Sequence, residues 1–259
     1  MLESGITKIS LLPVRSEPRQ QAELVTQLLF GEMYTIHEKQ GEWLRIVTHS
    51  DQYSGFINVS QHSPLDARTA RDLENSDKSV VLDLVHSITE NDRKFPVSIG
   101  SILYHFDGVT ARIGKDKYHF SGKTIPSGQG FGQPDMIIKL AMKLLHAPYL
   151  WGGRGPFGID CSGFVQLVYR CAGVELPRDA WQQAATGKTL HFIHEARAGD
   201  LAFFSNEEGR IIHVGMLMGD GTIIHASGMV RIDTIDHYGI FRKDIRKYSH
   251  QLRIIKRIL

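Results

Sequence analysis

The sequence predicts an α+β protein in which small all-β domains precede a mixed domain of helices and sheet. Residues 6–60 contain short alternating apolar runs between glycine turns, and residues 79–125 show a weaker version of that pattern. In the second half of the chain, apolar residues recur at helical spacing, and a β-hairpin signal follows them. Three segments follow from these changes of pattern: residues 1–63, 64–127 and 128–259.

The first segment contains three well-formed strand patterns. They are Leu24–Phe30, Met33–His37 and Trp43–Val47. Residues 64–78 are polar and charged, which indicates a connector. The later β runs are Val80–Val85, Val97–Leu103, Thr110–Ile113 and Tyr118–Phe120. Residues 127–132 are rich in glycine and indicate a joint, after which Pro134 opens a helix predicted to run to about Leu145.

Cys161 lies where a loop rich in Gly and Pro meets a predicted helix. The apolar residues that define this helix are Phe164, Val165, Leu167, Val168, Cys171 and Ala172. Asp160 can cap the helix, and the positive end of the helix dipole favours a thiolate at its first turn. Cys161 is therefore a candidate nucleophile, although a cysteine at a helix start is more often a small buried residue.

A hairpin further along supplies two candidate partners for the cysteine. Gly219–Gly221 predicts the turn, which places Gly215 opposite His225 and His213 opposite Ser227. His213 and His225 then share one face as diagonal neighbours, with Cβ atoms roughly 7–8 Å apart or less. One ring can hydrogen-bond the other, as a base and its orienting group do in nucleophilic catalysis. Chance alignment is the alternative, because the chain has 13 histidines.

Composition limits the function classes. The 259 residues are 42% hydrophobic and 22% charged with a net charge of +2, which is ordinary for a globular protein and gives no argument for nucleic-acid binding. No run of about 18 apolar residues predicts a membrane span. The N-terminal residues lack the pattern of a signal peptide, so we expect a cytoplasmic protein. Cys161 and Cys171 lie roughly 15 Å apart along one helix and cannot form a disulfide.

Five blocks in the last segment resemble the NlpC/P60 cysteine peptidases in order and spacing. They are Tyr149–Gly153, Asp160–Phe164, Gly199–Phe204, His213–Gly215 and Ile224–Ala226. The resemblance covers about residues 133–259. It implies an α+β papain-like (NlpC/P60) catalytic domain preceded by all-β SH3-like barrel domains, since residues 1–63 resemble a bacterial SH3-type barrel and residues 64–127 a second, weaker one.

By this resemblance, Cys161 is the nucleophile, His213 the general base and His225 the residue that orients the base. No metal or other cofactor is needed, and no His-Glu-x-x-His pattern indicates a zinc peptidase. The combination of domains resembles the recycling γ-D-glutamyl-L-diamino acid endopeptidases. These act on murein peptides of the form L-Ala-γ-D-Glu-diamino acid with a free N-terminus, and we expect the protein to act as a monomer. The alternatives are a cell-wall remodelling endopeptidase, a papain-like acyltransferase and a non-catalytic murein-binding module.

The resemblance also implies substrate-binding residues. Tyr149, Asp160 and Ser162 are expected beside the substrate's N-terminal residues. Arg178 either meets the substrate carboxylate or forms a structural salt bridge. Ala180 stands where many relatives carry Ser, so a substrate hydrogen bond from that hydroxyl is not expected here.

The SH3-type domain is expected to add a tyrosine and a carboxylate that recognise the free amine. Tyr53 matches the tyrosine, and Glu23 is the predicted carboxylate, with Glu17 and Glu32 as rivals. The alternative for each is an ordinary exposed residue of a small barrel.

Overall fold

The computed structural model describes residues 3–128 and 134–259, which form two compact units. The first unit comprises residues 1–130 with 151–156, and the second comprises residues 131–150 with 157–259. Most of the predicted joint, residues 129–132, lies outside the described residues. Within the described ranges, no helix is long and apolar enough to cross a membrane.

The first segment of the first unit is a seven-stranded antiparallel sheet. Its strands are β1 (Glu3–Ile6), β2 (Leu11–Arg15), β3 (Leu24–Leu29), β4 (Met33–Gln40), β5 (Trp43–Thr48), β6 (Ser54–Asn58) and β7 (Pro64–Leu65), in the order β3-β2-β6-β5-β4-β1-β7. A short 3₁₀ helix, Val59–Gln61, follows β6. Alternate residues such as Leu12, Leu44 and Ile46 pack into one core. The three strand patterns predicted here are confirmed as β3, β4 and β5.

The second segment begins with a helix that the sequence analysis treated only as connector. Helix α1 (Ala67–Asn75) is capped by Asp66, whose side chain accepts hydrogen bonds from two backbone N–H groups, and it buries Ala70 and Leu73. The strands are β8 (Lys78–Val81), β9 (Val85–Glu90), β10 (Arg93–Ser98), β11 (Ile102–Tyr104), β12 (Thr110–Ile113), β13 (Asp116–Phe120) and β14 (Thr124–Pro126). They form two sheets, β10-β9-β13-β12 and β11-β8-β14.

Two of the predicted runs in this segment are wrong as single strands. Val80–Val85 is divided between β8 and β9, and Val97–Leu103 is divided between β10 and β11. Gly100, with φ of 86°, makes the second break, a backbone conformation that side chains disfavour. Apolar content alone could not reveal these turns, because each predicted run has apolar residues on both sides of its turn.

Residues 151–156 follow Leu150 in the chain but pack within the first unit, where they include β15 (Arg154–Gly155). Arg154 is buried and donates to both carboxylate oxygens of Glu32, at 2.8 and 3.1 Å. It also donates to the backbone carbonyl of Gln27 at 2.8 Å. This loop is therefore anchored by a buried ion pair.

The second unit combines helices with one long sheet. Its helices are α2 (Pro134–Lys143), α3 (Cys161–Cys171) and α4 (Ala180–Gln183), with a 3₁₀ turn at Ile193–Glu195. Its strands are β16 (Gly158–Ile159), β17 (Lys188–Leu190), β18 (Leu201–Ser205), β19 (Ile211–Leu217), β20 (Thr222–Ser227), β21 (Met229–Ile235), β22 (Gly239–Arg242) and β23 (Lys247–Arg257). Helix α3 begins at the predicted residue and is buried along its whole length.

The large sheet of the second unit closes on itself. Its order is β17-β23-β18-β19-β20-β21-β22, and β22 also pairs with β23. Phe204, Ile223, Ile240 and Ile255 belong to the core cluster that these strands surround. Strands β19, β20, β21 and β23 all belong to this closed sheet. Each of them contributes a residue to the candidate site.

Candidate active site

Cys161 is the first residue of α3 and is buried. The Asp160 carboxylate caps this helix by accepting from the backbone N–H of Gly163 at 2.7 Å. The backbone N–H of Val214, the residue after His213, is directed at the Cys161 thiol and partly lowers its pKa. The cysteine therefore lies against β19, the strand that carries the predicted base.

The charge state of Cys161 differs from the sequence-based expectation. Burial, followed by the negative charge of Asp160, raises the pKa of the thiol to about 12, although Arg178 and two backbone N–H groups act in the opposite direction. Desolvation penalises the thiolate more than the helix terminus stabilises it. The resting residue is a neutral thiol, so its proton must be removed as the sulfur attacks.

The two predicted histidines meet on the hairpin. The β19–β20 ladder places Gly215 opposite His225, as predicted, and continues to Leu217 opposite Ile223. The expected pairing of His213 with Ser227 falls beyond this ladder. The rings are nevertheless joined, with His213 Nε2 2.9 Å from His225 Nδ1, and both side chains are buried.

Asp233 extends this pair and was missed by the sequence analysis. Its Oδ2 lies 3.0 Å from His225 Nε2, and its two oxygens accept from Arg231 at 2.6 and 2.9 Å. In the β20–β21 ladder His225 is opposite Arg231, so Asp233 is the diagonal neighbour of His225 on the same face. The parity argument applied to the hairpin could have found it if carried one strand further.

The hydrogen bonds determine where the ring protons lie. A carboxylate only accepts, so His225 Nε2 carries a hydrogen for Asp233, which leaves His225 Nδ1 as an acceptor. His213 Nε2 must then donate to it, and the lone pair of His213 remains on Nδ1. Burial, followed by the nearby His250 and His225, lowers the pKa of His213 well below its usual range. His213 is therefore a neutral ring with one basic nitrogen.

His250, on β23, is a third histidine at this site that the sequence did not single out. Its ring stacks on His213 with centroids 4.2 Å apart and planes inclined by 24°. Burial is the main reason that the pKa of His250 falls to about 4, so this ring is also neutral near pH 7. The signal was absent from the sequence because β23 is paired from a distant part of the chain.

Arg178, Asp160 and Ser162 form one buried cluster. Arg178 donates to both Asp160 oxygens, at 3.0 and 2.5 Å, and to Ser162 Oγ at 2.9 Å. Of the two alternatives predicted for Arg178, the structure shows the salt bridge. These contacts already use some of the hydrogen-bonding groups of Asp160 and Ser162. A substrate role for the two residues stays a prediction.

Tyr149 lies in the same electrostatic environment as Cys161. Burial is the main reason that the pKa of its phenol rises to about 12, and the negative charge of Asp160 acts in the same direction. Its backbone N–H donates to Gly228 at 3.0 Å. The hydroxyl therefore keeps its hydrogen near pH 7 and can donate it to an oxyanion.

The predicted amine-binding residues belong to the first unit. Tyr53 lies between β5 and β6, with its backbone N–H donating to Thr48 Oγ1 at 2.8 Å. Glu23 accepts a hydrogen bond from the Trp151 indole. Of the rivals, Glu32 is committed to the buried pair with Arg154, whereas Glu17 is exposed and paired with Arg19.

Comparison with known proteins connects this geometry to a family. The NlpC/P60 family pattern matches residues 146–248, a range that includes Cys161, His213 and His225. The γ-D-glutamyl-L-lysine dipeptidyl-peptidase of Bacillus subtilis is 30% identical over 225 residues, covering 78% of this chain and 71% of that protein. The chain belongs to the NlpC/P60 family. NlpC/P60 proteins are cysteine peptidases. The buried cysteine and the histidine pair are the residue types that such a peptidase needs as nucleophile and base.

Two further comparisons extend beyond the NlpC/P60 match. Dipeptidyl-peptidase 6 of Lysinibacillus sphaericus is 26% identical, covering 89% of this chain and 91% of that protein. An NlpC/P60 family protein from Bacillus cereus shares the fold over 99% of both chains, with a TM-score of 0.84 and 22% identity. Residues 14–61 match the bacterial dipeptidyl-peptidase SH3 domain, which confirms an SH3-type domain in the first segment. A second barrel in residues 64–127 stays a prediction.

Proposed function

We propose that this protein is a cysteine peptidase that hydrolyses the γ-D-glutamyl–diamino acid bond of murein peptides with a free N-terminal L-Ala. The observation that carries the proposal is the buried chain Asp233–His225–His213, which leaves a basic His213 Nδ1 on the strand that contacts Cys161. The names of the relatives from Bacillus subtilis and Lysinibacillus sphaericus support the dipeptidyl-peptidase specificity.

The proposed reaction follows from these protonation states. His213 Nδ1 accepts the thiol proton as the Cys161 sulfur attacks the γ-glutamyl carbonyl. The oxyanion is held by the backbone N–H of Cys161 at the start of α3, with the Tyr149 hydroxyl as a second donor. The His213 imidazolium then protonates the departing amine of the diamino acid. Water, deprotonated by His213, hydrolyses the thioester and releases L-Ala-D-Glu.

Asp233 and His225 are positioning residues in this reaction. They hold the His213 ring and its tautomer without contacting the substrate. The imidazolium formed after proton transfer is stabilised through the same hydrogen bonds, because His225 and the Asp233 carboxylate lie behind it. Because His213 is neutral at rest, this stabilisation acts only when the ring becomes positively charged during the reaction.

The test is mass spectrometry of the products from L-Ala-γ-D-Glu-diaminopimelate and its L-lysine analogue. We expect L-Ala-D-Glu and the free diamino acid from wild type and no turnover from Cys161→Ala. N-acetylation of L-Ala removes the charge and adds bulk, and should reduce kcat/KM severely. Similar rates with both peptides, or efficient digestion of intact sacculi, would instead identify a wall-remodelling endopeptidase.

The same assay separates the other candidates. An acyltransferase would give L-Ala-D-Glu joined to an added amine rather than free acid, and a binding module would bind the peptide without turnover. Glu23 and Tyr53 are our candidates for recognising the free amine. Glu23→Gln should raise KM for the free peptide, whereas Glu17→Gln, a neutralised exposed acid in the same segment, should not.

Peptides with a free L-Ala amine are products of wall breakdown rather than intact wall. We therefore propose a recycling role, with the cytoplasm as its compartment. Cell fractionation followed by activity measurement on the tripeptide tests this proposal. Activity confined to the wall fraction would contradict it.

A further inference from the structure

His213, His225 and His250 form a compact three-imidazole cluster. One ring nitrogen from each lies within 4.8 Å of the corresponding nitrogens of the other two. The rings come from β19, β20 and β23, three strands of the closed sheet. The peptidase reaction proposed above uses the first two rings and gives His250 no task. His250 also lies beyond residues 146–248, the range that matches the family pattern.

The cluster has the ligand chemistry of a zinc site. Three histidines with one open coordination position are a common protein environment for Zn²⁺, with Zn–N distances of about 2.0–2.1 Å. Tetrahedral geometry then requires neighbouring nitrogens about 3.3 Å apart. The His213 Nε2 to His225 Nδ1 distance is 2.9 Å, and the largest separation in the cluster is within 4.8 Å. The required adjustments are therefore within about 1.5 Å and involve side-chain rotation.

The surrounding residues orient the rings in the way that is usual for histidines that bind a metal ion. His225 presents Nδ1 to the cluster while its Nε2 donates to the Asp233 carboxylate, the histidine–carboxylate arrangement that raises ligand basicity. His250 Nδ1 lies 2.9 Å from Ser249 Oγ, which leaves its Nε2 for the cluster. His225 is completely buried and His213 nearly so, whereas His250 is only half-buried and is the ring of the cluster in contact with solvent.

We propose that His213, His225 and His250 bind one divalent transition-metal ion, best fitted by Zn²⁺, and that the ion inhibits the peptidase reversibly. The ion replaces the hydrogen that joins His213 Nε2 to His225 Nδ1, after the rings have rotated to separate the two nitrogens. That proton moves to His213 Nδ1, since a ring bound to the metal through Nε2 carries its hydrogen on the other nitrogen. His213 Nδ1 then cannot accept the Cys161 proton. Binding itself does not depend on the proposed function, whereas inhibition does.

The binding test uses full-length protein freed of metal by a chelator. Zn²⁺ is titrated calorimetrically, and Co²⁺ is titrated with detection of the visible absorption of a four-coordinate ion. We expect one equivalent bound by wild type. His250→Phe keeps a ring stacked on His213 but removes one ligand, and should weaken binding at least tenfold. His237→Gln removes an exposed histidine of the same unit and should bind like wild type.

The Cys161→Ala variant shows whether the ion is bound by the three histidines or by the thiol. This variant should still bind one equivalent with the same Co²⁺ spectrum. Loss of binding in Cys161→Ala, or unchanged binding in a folded His250→Phe variant, would overturn the proposal. Thermal melting establishes folding, and added Zn²⁺ should raise the melting temperature of wild type but not of His250→Phe.

The inhibition test compares each protein with its own metal-free rate on the tripeptide. Zn²⁺ should inhibit wild type reversibly, with recovery on adding chelator, and His250→Phe should need at least ten times more Zn²⁺ for the same fractional loss. Metal binding without inhibition would leave the site intact and count against His213 as the base. Inhibition that is unchanged in His250→Phe would instead exclude this site as its cause.

Discussion

Replacing Asp233 with asparagine tests whether the carboxylate sets the tautomers of the histidine pair. In the structure one Asp233 oxygen accepts from both His225 Nε2 and Arg231 Nε, and the other accepts from Arg231 Nη2. Asparagine has one oxygen and one NH₂ group. Whichever way the amide points, a donor faces another donor, either at His225 or at Arg231.

The expected loss of kcat follows from the strength of the hydrogen bond between His225 and Asp233. A hydrogen bond to a charged group contributes about 1.5–3 kcal/mol, and Asp233 is buried, so the bond to His225 belongs in this class. At about 1.36 kcal/mol per decade, kcat should fall about 10- to 150-fold. KM should change little, because Asp233 contacts His225 and Arg231 and acts on the base rather than on substrate binding.

The assay is steady-state kinetics on the tripeptide, with Asp244→Asn as the matched control. Asp244 accepts from Arg231 at 3.3 Å and from Arg242 at 3.1 Å, so the control perturbs the same arginine network through residues other than His225. It should retain activity within about twofold, as expected for an exposed ion pair. Nitrogen NMR of the histidines reports the tautomers directly. The reasoning is refuted if folded Asp233→Asn and Asp244→Asn have equal kcat and identical His213 tautomers.

The remaining predictions concern the thiol and the buried ion pair. Iodoacetamide should alkylate Cys161 about tenfold faster per pH unit from about pH 7 to 10, because its raised pKa leaves the thiolate scarce. A rate plateau on the acidic side would reveal a resting thiolate and contradict this. Cys161→Ala should abolish turnover but keep the fold, whereas Cys171→Ala should keep activity and lose about 1–2 kcal/mol in urea unfolding. Glu32→Gln leaves the Arg154 charge buried and should cost about 3–5 kcal/mol, against under about 1 kcal/mol for Glu17→Gln at the exposed pair with Arg19.

Local features of this protein could be predicted from the sequence because local chemistry decides them. Asp160 caps helix α3 at the predicted residue, since capping depends on side chains one to three positions away. The pairing of Gly215 with His225 followed from the turn between β19 and β20 and the two-residue period of a strand. The divided runs in the second segment were missed because apolar residues stand on both sides of each turn.

Only the tertiary structure decided the electrostatics and the full membership of the site. His250 reaches His213 because β23 closes the large sheet, and such long-range pairing leaves no periodic signal in the chain. The raised pKa of Cys161 depends on how completely the fold removes water from it, and this desolvation outweighs the lowering of the pKa by backbone N–H groups at the start of the helix. The sequence by itself therefore identified Cys161, His213 and His225 as candidates. Packing between distant segments determined their protonation states and added Asp233 and His250, because desolvation and contact are properties of the assembled fold.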